Sequence, residues 1–242
     1  PLEPDGVIIA GDLTNNGTET QHSLAAELLS TVPAPLMIIP GNHDVKPDDT
    51  GTPAERNITR VGDHDSYPVT AGLGDTTVLG LDSTIPRQVG GRLGPTTTLP
   101  AGESRAASPD IAAVHHPIAP PPPPFRGIVD TDTHRIEQPA AAADTLTGAG
   151  IDLVISAHLH WPSVTTYRGL SVVNAPSTAS FPPSYLLLEI DPEGTTVSLV
   201  PLTGSIGMRE AYDYATQDDI RGRAIKRAVT DAKHNSPVSV PV

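Results

Sequence analysis

The sequence contains no cysteine, which excludes disulfides, thiolate nucleophiles and cysteine-based zinc sites. Any metal ion must therefore be held by His, Asp, Glu or Asn, donors that suit hard or borderline cations such as Mn²⁺, Zn²⁺ or Fe²⁺. Basic residues are also few. Lys and Arg total 15 against 28 Asp and Glu, a formal net charge of −13. A protein that tracks a nucleic-acid backbone needs a basic surface, so this balance argues against nucleic acid as a partner. Small anionic substrates stay open, because a metal site brings its own positive charge. No apolar run reaches the roughly 18 residues needed to cross a bilayer. No charged-then-apolar leader opens the chain. The expectation is a cytoplasmic protein that does not engage a membrane, of unspecified oligomeric state.

The 242 residues, 37% of them hydrophobic, suit one large α/β domain or a domain with a short extension. Short apolar runs bounded by Gly, Pro or Asp predict strands at Val7–Ile9, Leu36–Ile39, Val78–Leu81, Ile111–Val114, Leu153–Ile155, Leu170–Val173, Tyr185–Ile190 and Thr196–Val200. Between them, Glu19–Ser30 places Leu24, Leu28 and Leu29 at helical spacing, and the Ala-rich Glu137–Thr147 stops before Gly148 and Gly150. Helices alternate with strands early and strands follow one another late, which predicts a mixed-sheet α/β domain. Asp82–Pro109 reads as loop or a short hairpin, and Pro117–Gln138 as a loop holding the stiff Pro120–Pro124 stretch. From Met208 to Lys233 the pattern is helical and charged.

Four of the apolar runs end in metal-capable residues: Gly11-Asp12, Gly41-Asn42-His43-Asp44, His115-His116-Pro117 and Ala157-His158-Leu159-His160. Taken singly, each has a plain alternative. Gly11-Asp12 could be a turn with Asp12 capping a helix, Gly41–Asp44 an Asx turn, and His115 or His116 a buried histidine at a strand end. His158 and His160 could be ordinary surface histidines. Ligands of α/β sheets bind beyond the carboxyl ends of strands, so four such clusters point to one shared site. His158 and His160, two apart on extended backbone, can enter it from one face.

In order, these motifs resemble the later motifs of the calcineurin-like metallophosphoesterases, from about Gly6 to Leu202. The His-His-Pro form, Leu81-Asp82-Ser83 and Asn174-Ala175-Pro176-Ser177-Thr178 look most like the cyclic-nucleotide phosphodiesterase branch. The resemblance implies a four-layer α/β/β/α sandwich of two mixed sheets over residues 1–203, followed by a C-terminal helical extension over 204–242. It implies two divalent ions (Mn, Fe or Zn) at one sheet edge. Asp12 would bridge them, with Asn42, His115 and His158 on the second and His160 on the first. His43 would be the catalytic histidine. An orienting role for Asp44 comes from the residues themselves, since it adjoins His43, and not from the family. His116 is then a neighbour, while His22, His64, His134 and His234 match no motif and read as surface residues.

The sequence departs from the family twice. The opening Asp-x-His motif, expected on a first strand upstream of Gly11, is absent from the chain, so the first metal keeps only Asp12 and His160. The expected sandwich lacks that strand, and the chain as written is expected to be inactive if the ligands are truly lost. Asn15-Asn16-Gly17 stands where the protein Ser/Thr phosphatases carry Asp-Arg-Gly, which argues against a phosphoprotein phosphatase. The implied activity is hydrolysis of a small phosphodiester, such as a 3',5'-cyclic nucleotide, by a hydroxide that the metals acidify. The alternatives are a DNA-repair-type nuclease and a non-catalytic scaffold of the same fold.

Overall fold

A computed structural model describes residues 2–45, 67–93, 110–128 and 134–234. It contains ten strands and four helices among these residues. In chain order they are β1 (Val7–Ile9), α1 (Glu19–Leu29), β2 (Leu36–Ile38), β3 (Val69–Leu73), β4 (Thr76–Leu81), β5 (Ile111–Val114), α2 (Pro139–Gly148) and β6 (Leu153–Ser156). Then follow β7 (Ser163–Tyr167), β8 (Leu170–Asn174), β9 (Ser184–Asp191), β10 (Gly194–Pro201), α3 (Ser205–Ala215) and α4 (Ile220–His234). Residues 94–109 and 129–133, within the two stretches expected to be loops, lie outside the described residues, as does His64.

Six strands form one mixed sheet in the order β3-β4-β5-β6-β8-β7, with β4, β5, β6 and β8 parallel. Because both faces of this parallel centre are covered, its strands are continuously apolar rather than alternating. In β5, Ala112 and Val114 join the cluster that packs on Ala142, Ala143 and Leu146 of α2. Ile111 and Ala113 join the opposite cluster, which holds Met37 and Ile39 and is flanked by Ile8, Leu186, Leu188 and Val197. The second strand layer is thus a parallel β1-β2 pair together with an antiparallel β9-β10 hairpin. The α/β/β/α layering follows.

Every strand expected from the sequence forms. The two that the pattern did not flag, β3 and β7, are the edges of the six-stranded sheet. They are half exposed and mix Thr, Ser and Gly with apolar residues, so no uniform apolar run marks them. Helix α1 starts at a Thr18 N-cap, whose hydroxyl accepts the Gln21 N–H. It turns His22 and Ala25 inward and leaves Leu24 and Leu28 in solvent. The spaced leucines are therefore not its buried face, because the small Ala25 permits a close approach and His22 has a buried hydrogen-bond partner. The helical stretch after residue 204 is broken in two, since the Asp219 carboxylate accepts the Gly222 N–H at 2.6 Å and starts a new helix.

The two strand layers approach closely at Gly80. A Cβ there would lie 2.7 Å from Met37 Sδ and 3.1 Å from Ile39 Cγ2 of the other layer. Gly80→Val should lower the stability to urea by about 1–3 kcal/mol through overpacking. An unchanged midpoint would show that the layers are not in contact there.

Candidate metal centre

The parallel strands β1, β2, β5 and β6 deliver their carboxyl ends to one edge of the two sheets. There the His115 ring crosses from the six-stranded sheet to the smaller one. Its Nδ1 donates to the Ala10 carbonyl at 2.7 Å. A carbonyl can only accept, so Nδ1 carries a hydrogen and, in the neutral ring, Nε2 offers a lone pair to the other side. That atom lies 3.3 Å from Asn42 Oδ1, 3.4 Å from Asp12 Oδ2 and 3.3 Å from His158 Nδ1. Ligand bonds of 2.0–2.2 Å at tetrahedral angles separate donor atoms by about 3.3–3.6 Å. Three of the side chains expected to hold the second metal therefore each stand from His115 Nε2 at the separation of two ligands on one small divalent cation.

Electrostatics make the same case. Four acceptor groups in a buried site repel one another unless a proton or a cation lies among them. Burial alone would lower the His115 pKa, but the hydrogen bond and charge of Asp12 outweigh it and raise it. Burial pushes the Asp12 carboxyl up, yet His115 and the His43 N–H hold it well below the usual carboxylate range. His158 is pushed down to about 2, first by burial and then by the charge of His115 and His116, and stays neutral. One of its nitrogens carries the hydrogen and the other the lone pair. Nδ1 faces His115 and Nε2 is buried without a hydrogen-bond partner, so either tautomer is accommodated. A divalent ion would take the place of the proton that His115 and Asp12 share.

Backbone strain concentrates at the same place. Gly11, Asp12, His158 and His160 have φ of 89°, 56°, 64° and 57°, in the left-handed region that non-glycine residues avoid. Gly11 is required twice over, because a Cβ would lie 2.6 Å from His115 Nδ1 and 2.7 Å from the Gly41 nitrogen.

His116 is packed beside His115 and His158, with ring centroids 4.9 and 4.8 Å away. By proximity, these three imidazoles could themselves form a ligand trio. The hydrogen bonds decide against it. His116 Nε2 donates to the Val89 carbonyl at 3.0 Å and Nδ1 faces the Ser83 hydroxyl at 2.8 Å, so no lone pair is left for a metal. Burial, reinforced by His115, pushes its pKa down to about 3, and the ring is a neutral support.

The remaining expected residues divide. His43 and His160 line one cleft of about 350 Å³ with Asp12, Asn42 and His158. His160 Nδ1 meets Ser180 Oγ at 3.1 Å. For an ion beside the four-donor pocket, the described residues offer Asp12 and His160. Asp44 does not take the orienting role expected of it. His43 Nδ1 is held instead by the Asn15 carbonyl at 2.9 Å. The Asp44 carboxylate, fully buried, accepts from Thr14 N and Oγ1 at 2.8 and 2.9 Å, Gly41 N at 2.9 Å and Leu13 N at 3.3 Å. It ties the Asp12 turn to the Asn42 turn, whose backbones it satisfies. Two histidines expected at the surface are elsewhere. His22 is buried and its Nε2 donates to the Asp44 carbonyl at 3.2 Å. His134 lines the cleft, with its ring 5.8 Å from that of His158. The side chain of His234 lies outside the described residues. Arg87 and Arg221 also line the cleft, and no motif in the sequence marks them.

Asp44→Ala would strand the donors that this carboxylate satisfies. The expected cost is about 3 kcal/mol in denaturant unfolding, together with weaker divalent-ion binding. Wild-type stability in this variant would remove the clamp.

The chain resembles curated proteins at low identity. It is 26% identical over 185 residues to a protein from Arcobacter nitrofigilis named a probable glycerophosphodiester phosphodiesterase. It is 27% identical over 184 residues to one from Rhodococcus erythropolis named a probable cyclic nucleotide phosphodiesterase. Each match covers 72% of this chain but only 63% and 58% of the relative's length. Among solved structures, phosphopantetheinyl hydrolase from Mycobacterium tuberculosis matches with a TM-score of 0.47 at 13% identity, covering 71% of this chain and 78% of that one. Among the described residues no helix is long and apolar enough to cross a membrane. The family model for calcineurin-like phosphoesterase matches residues 1–162, a span that includes every strand-end side chain of the metal centre, and the chain belongs to that family.

Proposed function

We propose that the protein is a metal-dependent phosphodiesterase acting on small phosphodiesters, with 3',5'-cyclic nucleotides as the substrate class to test first. The observation that carries this is the convergence of Asp12, Asn42 and His158 on His115 Nε2 at 3.3–3.4 Å, with a third histidine, His43, lining the same cleft as Asp12, Asn42 and His158. The cyclic-nucleotide choice leans on the relatives' names and on the negative charge of the chain, which disfavours a nucleic-acid substrate.

Divalent cations at such a site neutralise phosphoryl oxygens and acidify a water to a pKa of about 7. The protein's own residues do the rest. Asp12 supplies two carboxylate oxygens, one toward His115 and one that accepts the His43 N–H at 2.9 Å. It can therefore serve two ions, Mn, Fe or Zn, while fixing the backbone of the proton donor. Asn42 adds a neutral oxygen donor, which leaves the site enough positive charge to attract an anionic ester. The Asn15 carbonyl holds His43 at Nδ1 and so turns Nε2 toward the cleft, where it can deliver a proton to the departing alkoxide. No side-chain nucleophile is required.

Hydrolysis of bis(4-nitrophenyl) phosphate and of 3',5'-cyclic AMP, with and without Mn²⁺, tests this. Activity should depend on added metal and disappear in Asp12→Ala. His43→Ala should lower kcat on the cyclic nucleotide by about 10²–10⁴. The loss should be smaller on the aryl ester, whose weakly basic phenolate departs without a proton. Equal losses on the two esters would remove His43 as the proton donor, and metal-independent hydrolysis would remove the mechanism.

A further inference from the structure

Helix α4 follows the last strand in the chain and buries Ala224 and Ile225, and it places Arg221, which belongs to none of the sequence motifs, in the cleft. The Asp219 cap fixes where the helix begins, with Arg221 in its first turn. The guanidinium is seated on two sides. Its Nη2 donates to the Leu159 carbonyl at 3.0 Å, between the two histidines of the β6 motif. Its Cζ lies 5.0 Å from the ring centroid of the buried Phe125. The surroundings are rigid. This aromatic-poor chain places its one Trp and both of its Phe here, with Phe125–Trp161, Trp161–Phe181 and Phe181–Tyr212 centroids 5.7, 6.5 and 5.2 Å apart. Tyr212 belongs to α3, so both C-terminal helices are pinned beside His158 and His160.

The nearest carboxylate to act on Arg221 is that of Asp219, which is already engaged in capping the helix. Among the described residues Arg221 forms no ion pair with a carboxylate, in a chain that carries 28 of them. The arginines paired with carboxylates, such as Arg92 and Arg168, sit on the surface. Arg87 also lines the cleft and is likewise an exposed residue, but among the described residues only Arg221 of the two has its guanidinium seated on a carbonyl and a ring. Arg221 is exposed as a whole residue, but its guanidinium is partly buried where it meets Leu159 and Phe125, and a partly buried charge gains from an anionic partner. One backbone carbonyl uses one of its five donors, and the planar fork that remains matches the oxygens of a phosphate.

We propose that Arg221 is the anion-binding residue of the cleft: its guanidinium takes an unesterified oxygen of the phosphate ester held at the metal centre. This rests on the phosphoesterase reading of that centre. It assigns to the helical extension a part of the substrate site, with α4 supplying a cation beside His158 and His160.

The test is calorimetric binding of inorganic phosphate to the Mn²⁺-saturated protein, with Mn²⁺ affinity measured separately, for wild type, Arg221→Met and Arg221→Lys. Arg221→Met should weaken phosphate binding about 10- to 100-fold and leave Mn²⁺ affinity as it was. Arg221→Lys, which keeps the charge but not the fork, should fall between. KM for the diester should rise with the same ranking. A merely structural Arg221 would show the reverse, with weaker Mn²⁺ binding and unchanged phosphate affinity at saturation, and that result overturns the proposal. So does a wild-type protein that holds Mn²⁺ but no phosphate. If Arg221→Met does not fold, wild-type phosphate affinity in Arg221→Lys overturns it. Should wild type bind phosphate through Arg221 yet hydrolyse no diester, the proposed activity falls and the anion site stands.

Discussion

The metal centre depends on the hydrogen bond from His115 Nδ1 to the Ala10 carbonyl, 2.7 Å long. It joins the end of a strand in the six-stranded sheet to the end of a strand in the smaller sheet, so the two sheets meet at their carboxyl edges. It also fixes the ring, and with it the direction of Nε2. Asn42, Asp12 and His158 are then gathered around that one nitrogen. The glycine at position 11 is the backbone condition for this contact, since any larger residue would displace the ring. A single interaction thus couples the packing of the sandwich to the geometry of the site.

Much of this was legible in the sequence, and for a physical reason. Strands buried on both faces must be continuously apolar, so β1, β2, β5 and β6 announce themselves, and the polar residues just past their ends stand out against them. Four such interruptions mark the residues that the fold brings together at the candidate site. The edge strands β3 and β7 gave no such signal because one of their flanks faces water. The role of Asp44 was misjudged because sequence adjacency to His43 suggests a contact. The tight turn instead sends its carboxylate back toward Thr14 and Gly41, where unsatisfied backbone donors are concentrated. His22 shows the same limit: its partner is the Asp44 carbonyl, and backbone acceptors leave no trace in sequence. Arg221 lies 61 positions beyond the last motif residue, His160, and only the tertiary fold returns it to the cleft.

The distribution of charge follows the same logic. The surface is strongly acidic, but within the site the order is reversed. His116 and His158 are held neutral by burial, so they support or offer lone pairs without adding repulsion. Positive charge is left to the cations the site would bind and to Arg221 behind them. With cations bound, that arrangement would place a local sink of positive potential within an acidic exterior.

The central claim is that Asp12, Asn42, His115 and His158 surround one divalent ion. Anomalous diffraction from crystals grown with Mn²⁺, recorded on both sides of the manganese edge, tests it directly. The account predicts a peak about 2.0–2.2 Å from Asp12 Oδ2, Asn42 Oδ1, His115 Nε2 and a ring nitrogen of His158, with His116 still bonded to Val89 and Ser83. A peak ligated by His116, or an empty cleft in protein that is saturated with Mn²⁺ elsewhere, would contradict it.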